Sequence, residues 1–102
     1  MKAERVQSEL KWLPEWAYED DAQGFAQGAE SITRNYNFED VPTTWAFAAK
    51  VAAIAKRHGH YPEINVDGRN VFLRLTTPEA GGLTEIDIDM AVLFDHYYQT
   101  VQ

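Results

Sequence analysis

Two histidines separated by one glycine stand in the segment AKRHGHYPE, at positions 55–63. A histidine side chain exchanges protons near neutral pH, so His58 or His60 could act as a general acid or base, or could bind a metal. A zinc site needs more ligands, but the chain has no cysteine, and His96 lies far along the sequence. We therefore predict no metal site. His58, on an apolar helix stripe, is expected to be structural. His60, two residues before Pro62, can face a cleft or lie on an ordinary surface.

A second candidate stretch, TTPEAGGLTEIDIDMA at positions 76–91, places two glycines just before a predicted helix with acidic residues in its first turn. Helix N-termini attract anions, but this stretch lacks the spacing of either nucleotide-binding fingerprint. Asp87 and Asp89 could simply stabilise the positive end of the helix dipole. The residues alone thus predict one plausible cleft, around His60, Tyr61 and the loop at 77–87, and leave its role open.

The overall composition argues against several classes of function. The 102 residues include 16 acidic and 9 basic side chains, which gives a formal net charge of −7. Nucleic acids and anionic membranes attract clustered lysine and arginine, so neither is expected as a partner. The first residues, MKAERVQSEL, lack the apolar core of a signal peptide, and no apolar run approaches the ~20 residues of a membrane span. We therefore expect a cytoplasmic protein of one domain, residues 1–102.

The elements that must position these residues follow from hydrophobic spacing. Val6, Leu10 and Leu13 lie at i, i+4 and i+7, which predicts a first helix that Pro14 ends. Acidic residues at 19–21, with glycines at 24 and 28, predict a long turn, and the β-branched and aromatic segment SITRNYNF at 31–38 predicts a strand. The pattern does not decide whether another strand precedes the turn.

The segment VPTTWAFAAKVAAIAKRHG, at positions 41–59, has the clearest helical pattern. Thr43 or Thr44 is predicted to cap its N-terminus, and Gly59 can adopt the left-handed conformation that ends it. Alanines on its remaining surface would let another helix approach closely. One stripe carries larger side chains: Phe47, Val51, Ile54 and His58.

The last third of the chain predicts a hairpin followed by a helix. Asp67 and Gly68 are expected to form the tight turn of the hairpin at 64–77. Thr84 is predicted to cap the final helix, at 85–101. Apolar faces are expected on the second arm of the hairpin, at Val71, Leu73 and Leu75, and on the final helix, at Ile86, Met90, Leu93 and Tyr97. This order of elements predicts an α+β domain with helices on one face of an antiparallel sheet.

From about Ile32 to the end, the sequence resembles the pterin-4a-carbinolamine dehydratases, also called 4a-hydroxytetrahydrobiopterin dehydratases. ITRNYNFEDV is similar to the family pattern I-x-R-x-F-x-F-x-D-F. VAAIAKRHGHYPE is similar to V-A-x-x-A-E-x-x-x-H-H-P-E, and TTPEAGGLTEIDIDMA to T-T-H-D-A-G-G-L-T-x-x-D-x-x-L-A. The residues before Ile32 match more loosely, and the first hairpin is predicted to be longer than the family's.

The resemblance implies a four-stranded antiparallel sheet with three helices packed on one face. It also implies a homodimer that joins two sheets edge to edge, and in some family members a tetramer formed through the central helix. The implied chemistry is removal of water from a 4a-hydroxy-tetrahydropterin, which gives the quinonoid dihydropterin. A proton leaves a ring nitrogen and the departing hydroxyl receives one, and no cofactor is expected.

The family's catalytic positions are only partly kept. His60 corresponds to the first of three cleft histidines, whereas Tyr61 and Pro78 occupy the places of the second and third, and Lys56 replaces an acid. Asp87 matches the family aspartate after G-G-L-T. Proline is neither acid nor base, and tyrosine is normally a proton donor with a pKa of ~10. The implied pterin pocket comprises His60, Tyr61, Pro62, Thr77, Pro78 and Glu79.

We therefore expect a retained fold with a degenerate active site. The leading hypothesis is a non-catalytic, dimeric protein that binds another protein. The sequence resembles a histidine-poor branch of the family that is found with α-carboxysome genes and acts as a Rubisco assembly factor. Rubisco is therefore the best candidate partner. An association with carboxysomes is expected as well. The competing hypothesis is a slow or altered dehydratase that uses His60, Tyr61 and Asp87. A third is a sensor that binds a pterin or another small ligand without turnover.

Overall fold

The computed structural model describes residues 3–20 and 29–101. The elements are α1 (Ala3–Leu10), β1 (Ala17–Glu19), β2 (Ser31–Asn37), α2 (Val41–His58), β3 (Glu63–Asp67), β4 (Asn70–Leu75), a 3₁₀ turn (Pro78–Ala80) and α3 (Glu85–Val101). The strands form one antiparallel sheet in the order β1-β2-β4-β3. The predicted α+β class, with four antiparallel strands and three helices, is confirmed. No helix within the described ranges is long and apolar enough to cross a membrane.

Strand β1 answers the question that the sequence left open, since a short strand does precede the predicted acidic turn. Glu19 is its last residue, and Asp20 follows it. The rest of that turn, residues 21–28, lies outside the described residues, as does the predicted extra length of the first hairpin.

The core lies against one face of the sheet, which the register of the two central strands defines. Ile32 is paired with Leu75, and Tyr36 with Val71. Alternate residues of a strand face the same side, so these side chains and Leu73 form one apolar surface, and all five are fully buried. The predicted apolar face of β4 is confirmed. All three helices add side chains to the same cluster.

Helix α2 is capped by Asp40, and the predicted cap at Thr43 or Thr44 is wrong. The Asp40 carboxylate accepts the Thr43 N–H at 2.7 Å, and hydrogen bonds from the side chain and backbone of Thr43 lower the pKa of Asp40. The Thr44 hydroxyl instead donates to the Asp40 carbonyl at 2.8 Å. The helix begins at Val41, before either threonine, because Pro42, which has no N–H to satisfy, fits its first turn.

Gly59 ends α2 as predicted and directs the chain into the candidate site. Its φ is 63°, and its N–H donates to the Lys56 carbonyl at 3.2 Å. The His60 N–H donates to the Ala55 carbonyl at 3.1 Å, so both residues after the helix are held by its last turn. The prediction that His58 packs on the apolar stripe is wrong. Its side chain is exposed because the core contact of α2 ends at Ala55.

The tight turn of the second hairpin is shifted by one residue from the prediction. Asp67 pairs with Asn70 across the two strands, so Gly68 and Arg69 form the two-residue loop. Gly68 has φ 60°, which suits a turn that needs positive φ values.

The predicted apolar face of α3 is confirmed in part, because Met90 is fully buried and Ile86 and Tyr97 pack against the core, but Leu93 does not. Leu93 is 39% exposed, whereas the neighbouring Phe94 is fully buried. The segment is apolar at positions on several sides, so spacing alone could not select the face that meets the core. The buried residues are Asp87, Ile88, Met90, Ala91 and Phe94.

Candidate active site

Three separate segments meet at the start of α3. His60 follows the end of α2, Thr77 follows β4, and Asp87 lies in the first turn of α3. His60 Nε2 lies 2.6 Å from Asp87 Oδ1, and the Thr77 hydroxyl donates to Asp87 Oδ2 at 2.7 Å. Two predicted site residues, His60 and Asp87, are therefore in direct contact, and Thr77 from the predicted pocket joins them.

The Asp87 carboxylate is fully buried and accepts hydrogen bonds at both oxygens. Besides His60 and Thr77, the Thr84 N–H donates to Oδ2 at 2.9 Å, and the Thr84 hydroxyl contacts the same oxygen at 3.3 Å. Thr84 thus lies just before the helix, but its hydroxyl donates to Asp87 instead of capping a backbone N–H. A buried carboxylate is tolerated only when such donors replace water. Asp87 consequently does more than stabilise the helix dipole.

The geometry assigns the two nitrogens of His60 different roles. A carboxylate that already receives several N–H and O–H groups can only accept, so Nε2 carries the proton in the bond to Asp87. In the neutral ring, Nδ1 is then the basic nitrogen. The His60 side chain is 14% exposed, so it is mostly enclosed but still reaches solvent. An oriented histidine of this kind can take up and return a proton.

Among the described residues, the other predicted pocket positions form no hydrogen bond with this pair. Tyr61 is 65% exposed, and Glu79 is also exposed. Pro62 and Pro78 are half-buried. Lys56, which stands in the place of a family acid, is exposed on the last turn of α2. Neither Tyr61 nor Pro78 restores an acid–base contact to the His60–Asp87 pair.

The loop that carries Thr77 closes on itself. Thr77 N–H donates to the Gly82 carbonyl at 2.8 Å, and Gly82 N–H donates back at 3.1 Å. Pro78 starts the 3₁₀ turn between them, where it needs no N–H. Gly81 and Gly82 have φ 85° and 150°, which side chains rarely adopt. The loop therefore presents Thr77 to Asp87 from a closed turn.

Glu30 braces this loop, and sequence reasoning missed it. Its Oε1 accepts the Leu83 N–H at 3.3 Å, and its carbonyl accepts the Thr76 hydroxyl at 2.7 Å. Its Oε2 accepts the Tyr18 hydroxyl at 2.6 Å, and this bond, with a smaller contribution from burial, raises the pKa of Tyr18 to about 12. Glu30 precedes the segment that carries the family motifs, so no local signal pointed to it. The contact of Thr84 with Asp87 was also missed, although Thr84 lies in the G-G-L-T motif, which could have pointed to it.

Within the described ranges, no group of three or more histidine, cysteine, aspartate or glutamate residues could hold a metal ion. The donor set at the site is one histidine, one aspartate and two threonine hydroxyls. This set suits proton transfer and hydrogen bonding.

The chain is thus a small α+β protein with a four-stranded antiparallel sheet and three helices, in which a histidine–aspartate contact joins the end of α2 to the start of α3. The model of the pterin 4 alpha carbinolamine dehydratase family matches residues 1–97. The chain therefore belongs to the pterin-4-alpha-carbinolamine dehydratase family. The match starts at residue 1, so it also includes the residues before Ile32, where the motif resemblance is loose.

Similar proteins agree with this assignment. A protein of Rhizorhabdus wittichii named "Putative pterin-4-alpha-carbinolamine dehydratase" is 38% identical over 82 residues, which cover 80% of this chain and 77% of that protein. A Gloeobacter violaceus protein, "Putative pterin-4-alpha-carbinolamine dehydratase 2", is 36% identical over 91 residues, which cover 89% of this chain and 94% of that protein. The crystal structure of a transcriptional coactivator/pterin dehydratase from Brucella melitensis has a TM-score of 0.82 and 30% identity, and the match covers 94% of this chain and 95% of that one.

Proposed function

We propose that the chain is a slow pterin-4a-carbinolamine dehydratase in which His60 carries out the proton transfers. The observation that supports this proposal is the 2.6 Å contact between His60 Nε2 and the buried Asp87 carboxylate. From the sequence alone, stabilisation of the α3 helix dipole was enough to explain an acidic residue at position 87. The burial of Asp87 against His60 also gives the histidine the oriented partner that acid–base catalysis requires, and this supports the proposal.

The proposed reaction removes water from the 4a carbon of the tetrahydropterin. His60 Nδ1 takes the proton from the ring nitrogen beside that carbon, and the electron pair of the N–H bond forms the new carbon–nitrogen double bond. The carbon–oxygen bond breaks, and the imidazolium returns the proton to the departing hydroxyl, which leaves as water. Asp87 stabilises the imidazolium while the proton is on the ring.

The rate is expected to be low because one histidine must do work that three do in the family pattern. Losing a general acid or base typically costs ~10²–10⁴ in rate. Tyr61 and Pro78 occupy the two other places, and neither contacts the His60–Asp87 pair through a hydrogen bond among the described residues. Turnover above the spontaneous reaction, but well below that of a three-histidine enzyme, is the expected result.

The test is a stopped-flow assay with the 4a-hydroxy-tetrahydropterin generated in situ. We expect measurable turnover in the wild type, its loss in His60→Ala, and no change in His58→Ala. His58 is a matched control because it lies two residues away and is exposed. A wild-type rate equal to the spontaneous rate, or an active His60→Ala variant, would contradict the proposal. Saturable pterin binding without turnover would instead support a ligand sensor.

A second candidate function is non-catalytic binding of another protein, with Rubisco assembly the best candidate process. It is favoured by the loss of acid–base groups at Tyr61 and Pro78, and by the 65% exposure of Tyr61, which leaves an aromatic side chain for a partner. Its test is the yield of assembled Rubisco on co-expression with and without this chain. A rise that disappears in Tyr61→Ala would support it, and an unchanged yield would count against it. We propose an association with carboxysomes only together with this second candidate function.

We also propose that the chain forms a homodimer through its sheet edge. Of the two edge strands, β3 has five residues and β1 three, so β3 offers the longer row of backbone groups for pairing. A tetramer through α2 is the further expectation, because Trp45 is 57% exposed and Ala49 and Ala53 are exposed on that helix.

A further inference from the structure

A cavity of about 460 Å³ lies between the α1–β1 connection, β2 and α3, and no residue of the His60–Asp87 cluster lines it. Small-ligand pockets commonly measure ~300–1,000 Å³ and combine aromatic or apolar walls with a few convergent polar groups. This cavity has both features. The lining residues that matter are Trp12, Glu15, Arg34, Val92, Asp95 and Tyr98.

Asp95 gives the cavity a fixed hydrogen-bond acceptor. Its Oδ1 accepts from Trp16 Nε1 at 3.0 Å, from Arg34 Nη1 at 2.8 Å and from the Tyr36 hydroxyl at 2.5 Å. Its other oxygen, Oδ2, accepts no hydrogen bond from the described residues. Three bonds to one oxygen hold the carboxylate in place and leave the second oxygen for a ligand.

Arg34 gives the cavity fixed donors beside that acceptor. Its guanidinium lies 4.3 Å from the centre of the Tyr36 ring and 5.2 Å from that of Tyr98, and its side chain is 14% exposed. One N–H group is bonded to Asp95, and the fork carries further donors. A donor next to an acceptor is complementary to a ligand edge with a carbonyl next to an N–H, as in a cyclic amide.

The walls and the charge of the cavity narrow the ligand class further. Trp12 is 79% exposed at the cavity, and an exposed indole offers a face on which a planar ring can stack. Arg34 is balanced by Asp95, and Glu15 adds a negative charge to the lining. Anions are therefore disfavoured, and a neutral planar ring is favoured.

We propose that this cavity binds a neutral, planar nitrogen heterocycle with a cyclic-amide edge. The ligand's N–H donates to Asp95 Oδ2, its carbonyl accepts from Arg34, and its ring stacks on Trp12. Pyrimidine, purine and pteridine bases share this edge. The site does not depend on the dehydratase proposal, because it uses none of the residues that hold His60.

The test is a titration of the ¹⁵N-labelled protein with uracil, followed by backbone and indole N–H resonances. Uracil carries the proposed edge, and 1,3-dimethyluracil is a matched control that has no N–H to donate. We expect uracil to shift resonances around Trp12 and Asp95. Dimethyluracil should bind about tenfold more weakly, as is typical of a lost hydrogen bond to a charged group. A parallel titration with 6-methylpterin distinguishes a two-ring from a one-ring occupant.

Variants separate this site from nonspecific stacking. Trp12→Ala should weaken uracil binding about fivefold or more, the range of an aromatic stacking contact. Trp45→Ala is the matched control, since Trp45 is similarly exposed on α2 and does not line the cavity. Because Asp95→Asn could disturb the three bonds to that carboxylate, Val92→Trp, which fills the cavity from an exposed position, provides a second test. Equal binding of uracil and dimethyluracil, shifts confined to His60, or no shifts at all would overturn the proposal.

Discussion

Asp87 organises the candidate site because it is the carboxylate on which three segments converge. His60, Thr77 and Thr84 all contact it, and it has no exposed surface. Its position in the first turn of α3 also stabilises the helix dipole. One side chain therefore serves both folding and chemistry, and a substitution there should affect both.

Asp87→Asn should destabilise the protein by about 1–3 kcal/mol, because the amide presents N–H groups to neighbours that are themselves donors. Asp89→Asn is the matched control, since Asp89 lies in the same helix, two residues further on, but is exposed. It should change stability by about 0.5 kcal/mol or less. Urea denaturation monitored by circular dichroism measures both. Equal effects of the two variants would show that the dipole alone explains Asp87.

Tyr36 should make the protein sensitive to alkali. Burial, followed by its hydrogen bond to Asp95, raises the pKa of Tyr36 well above its usual value. The unfolded chain ionises this group near pH 10, so the stabilisation is complete below that pH and is lost as the pH rises further, by up to about 1.4 kcal/mol per pH unit. Tyr36→Phe should be less stable at pH 7 but should show a shallower decline from pH 9.5 to 11.

Tyr61→Phe is the control for this prediction, because Tyr61 is exposed. It should keep the steep wild-type decline in the free energy of unfolding. Tyr18, whose pKa is raised to about 12, adds to the decline in every variant, but only weakly because it lies near the surface. If Tyr36→Phe declined as steeply as the wild type, the buried hydroxyl would not be the cause.

At the scale of elements, short irregular segments position the site more than the helices and strands do. Gly59 turns the chain so that His60 follows α2 directly, and the closed loop from Thr77 to Gly82 presents Thr77 to Asp87. Glu30 also holds that loop, because its carboxylate accepts the Leu83 N–H. The helices and strands hold these turns in place, and the turns bring His60 and Thr77 within hydrogen-bond distance of Asp87.

Gly82→Ala should destabilise this loop more than Gly81→Ala does. Both glycines have positive φ, so each substitution strains the backbone by about 1–2 kcal/mol. A Cβ at Gly81 meets open space, whereas a Cβ at Gly82 overlaps the Glu30 side chain and displaces it from Leu83. Thermal denaturation of the two variants gives the difference. Adding Glu30→Ala to Gly82→Ala should recover part of the loss, and no recovery would rule out the overlap.

At the scale of the whole molecule, the sheet leaves two edges and α2 leaves an exposed face. The edge strands are β1 and β3, and the exposed residues of α2 include Trp45, Ala49 and Ala53. Large apolar side chains on an exposed helix often mark contacts between proteins. The site residues lie at the ends of elements, so assembly through these surfaces need not cover His60.

Light scattering coupled to size exclusion should give the mass of a dimer or of a tetramer for the wild type. Ala49→Arg places a charge on the exposed face of α2, so it should convert a tetramer to a dimer and leave a dimer unchanged. Ser8→Arg, at an exposed position on α1, is the control and should not change the mass. A monomeric wild type at micromolar concentration would contradict the proposed pairing through β3.

The sequence by itself determined the order of the elements apart from β1, the strand predicted at 31–38, the apolar face of β4, the glycine that ends α2 and the family. These features depend on spacing and on backbone conformation within short segments, and both can be seen in neighbouring residues. The contact of His60 with Asp87, across 27 positions, depended on how α2, β4 and α3 pack, as did the role of Glu30 and the buried face of α3. Only tertiary structure decides such contacts, because the burial of a polar group depends on the partners that distant segments bring to it.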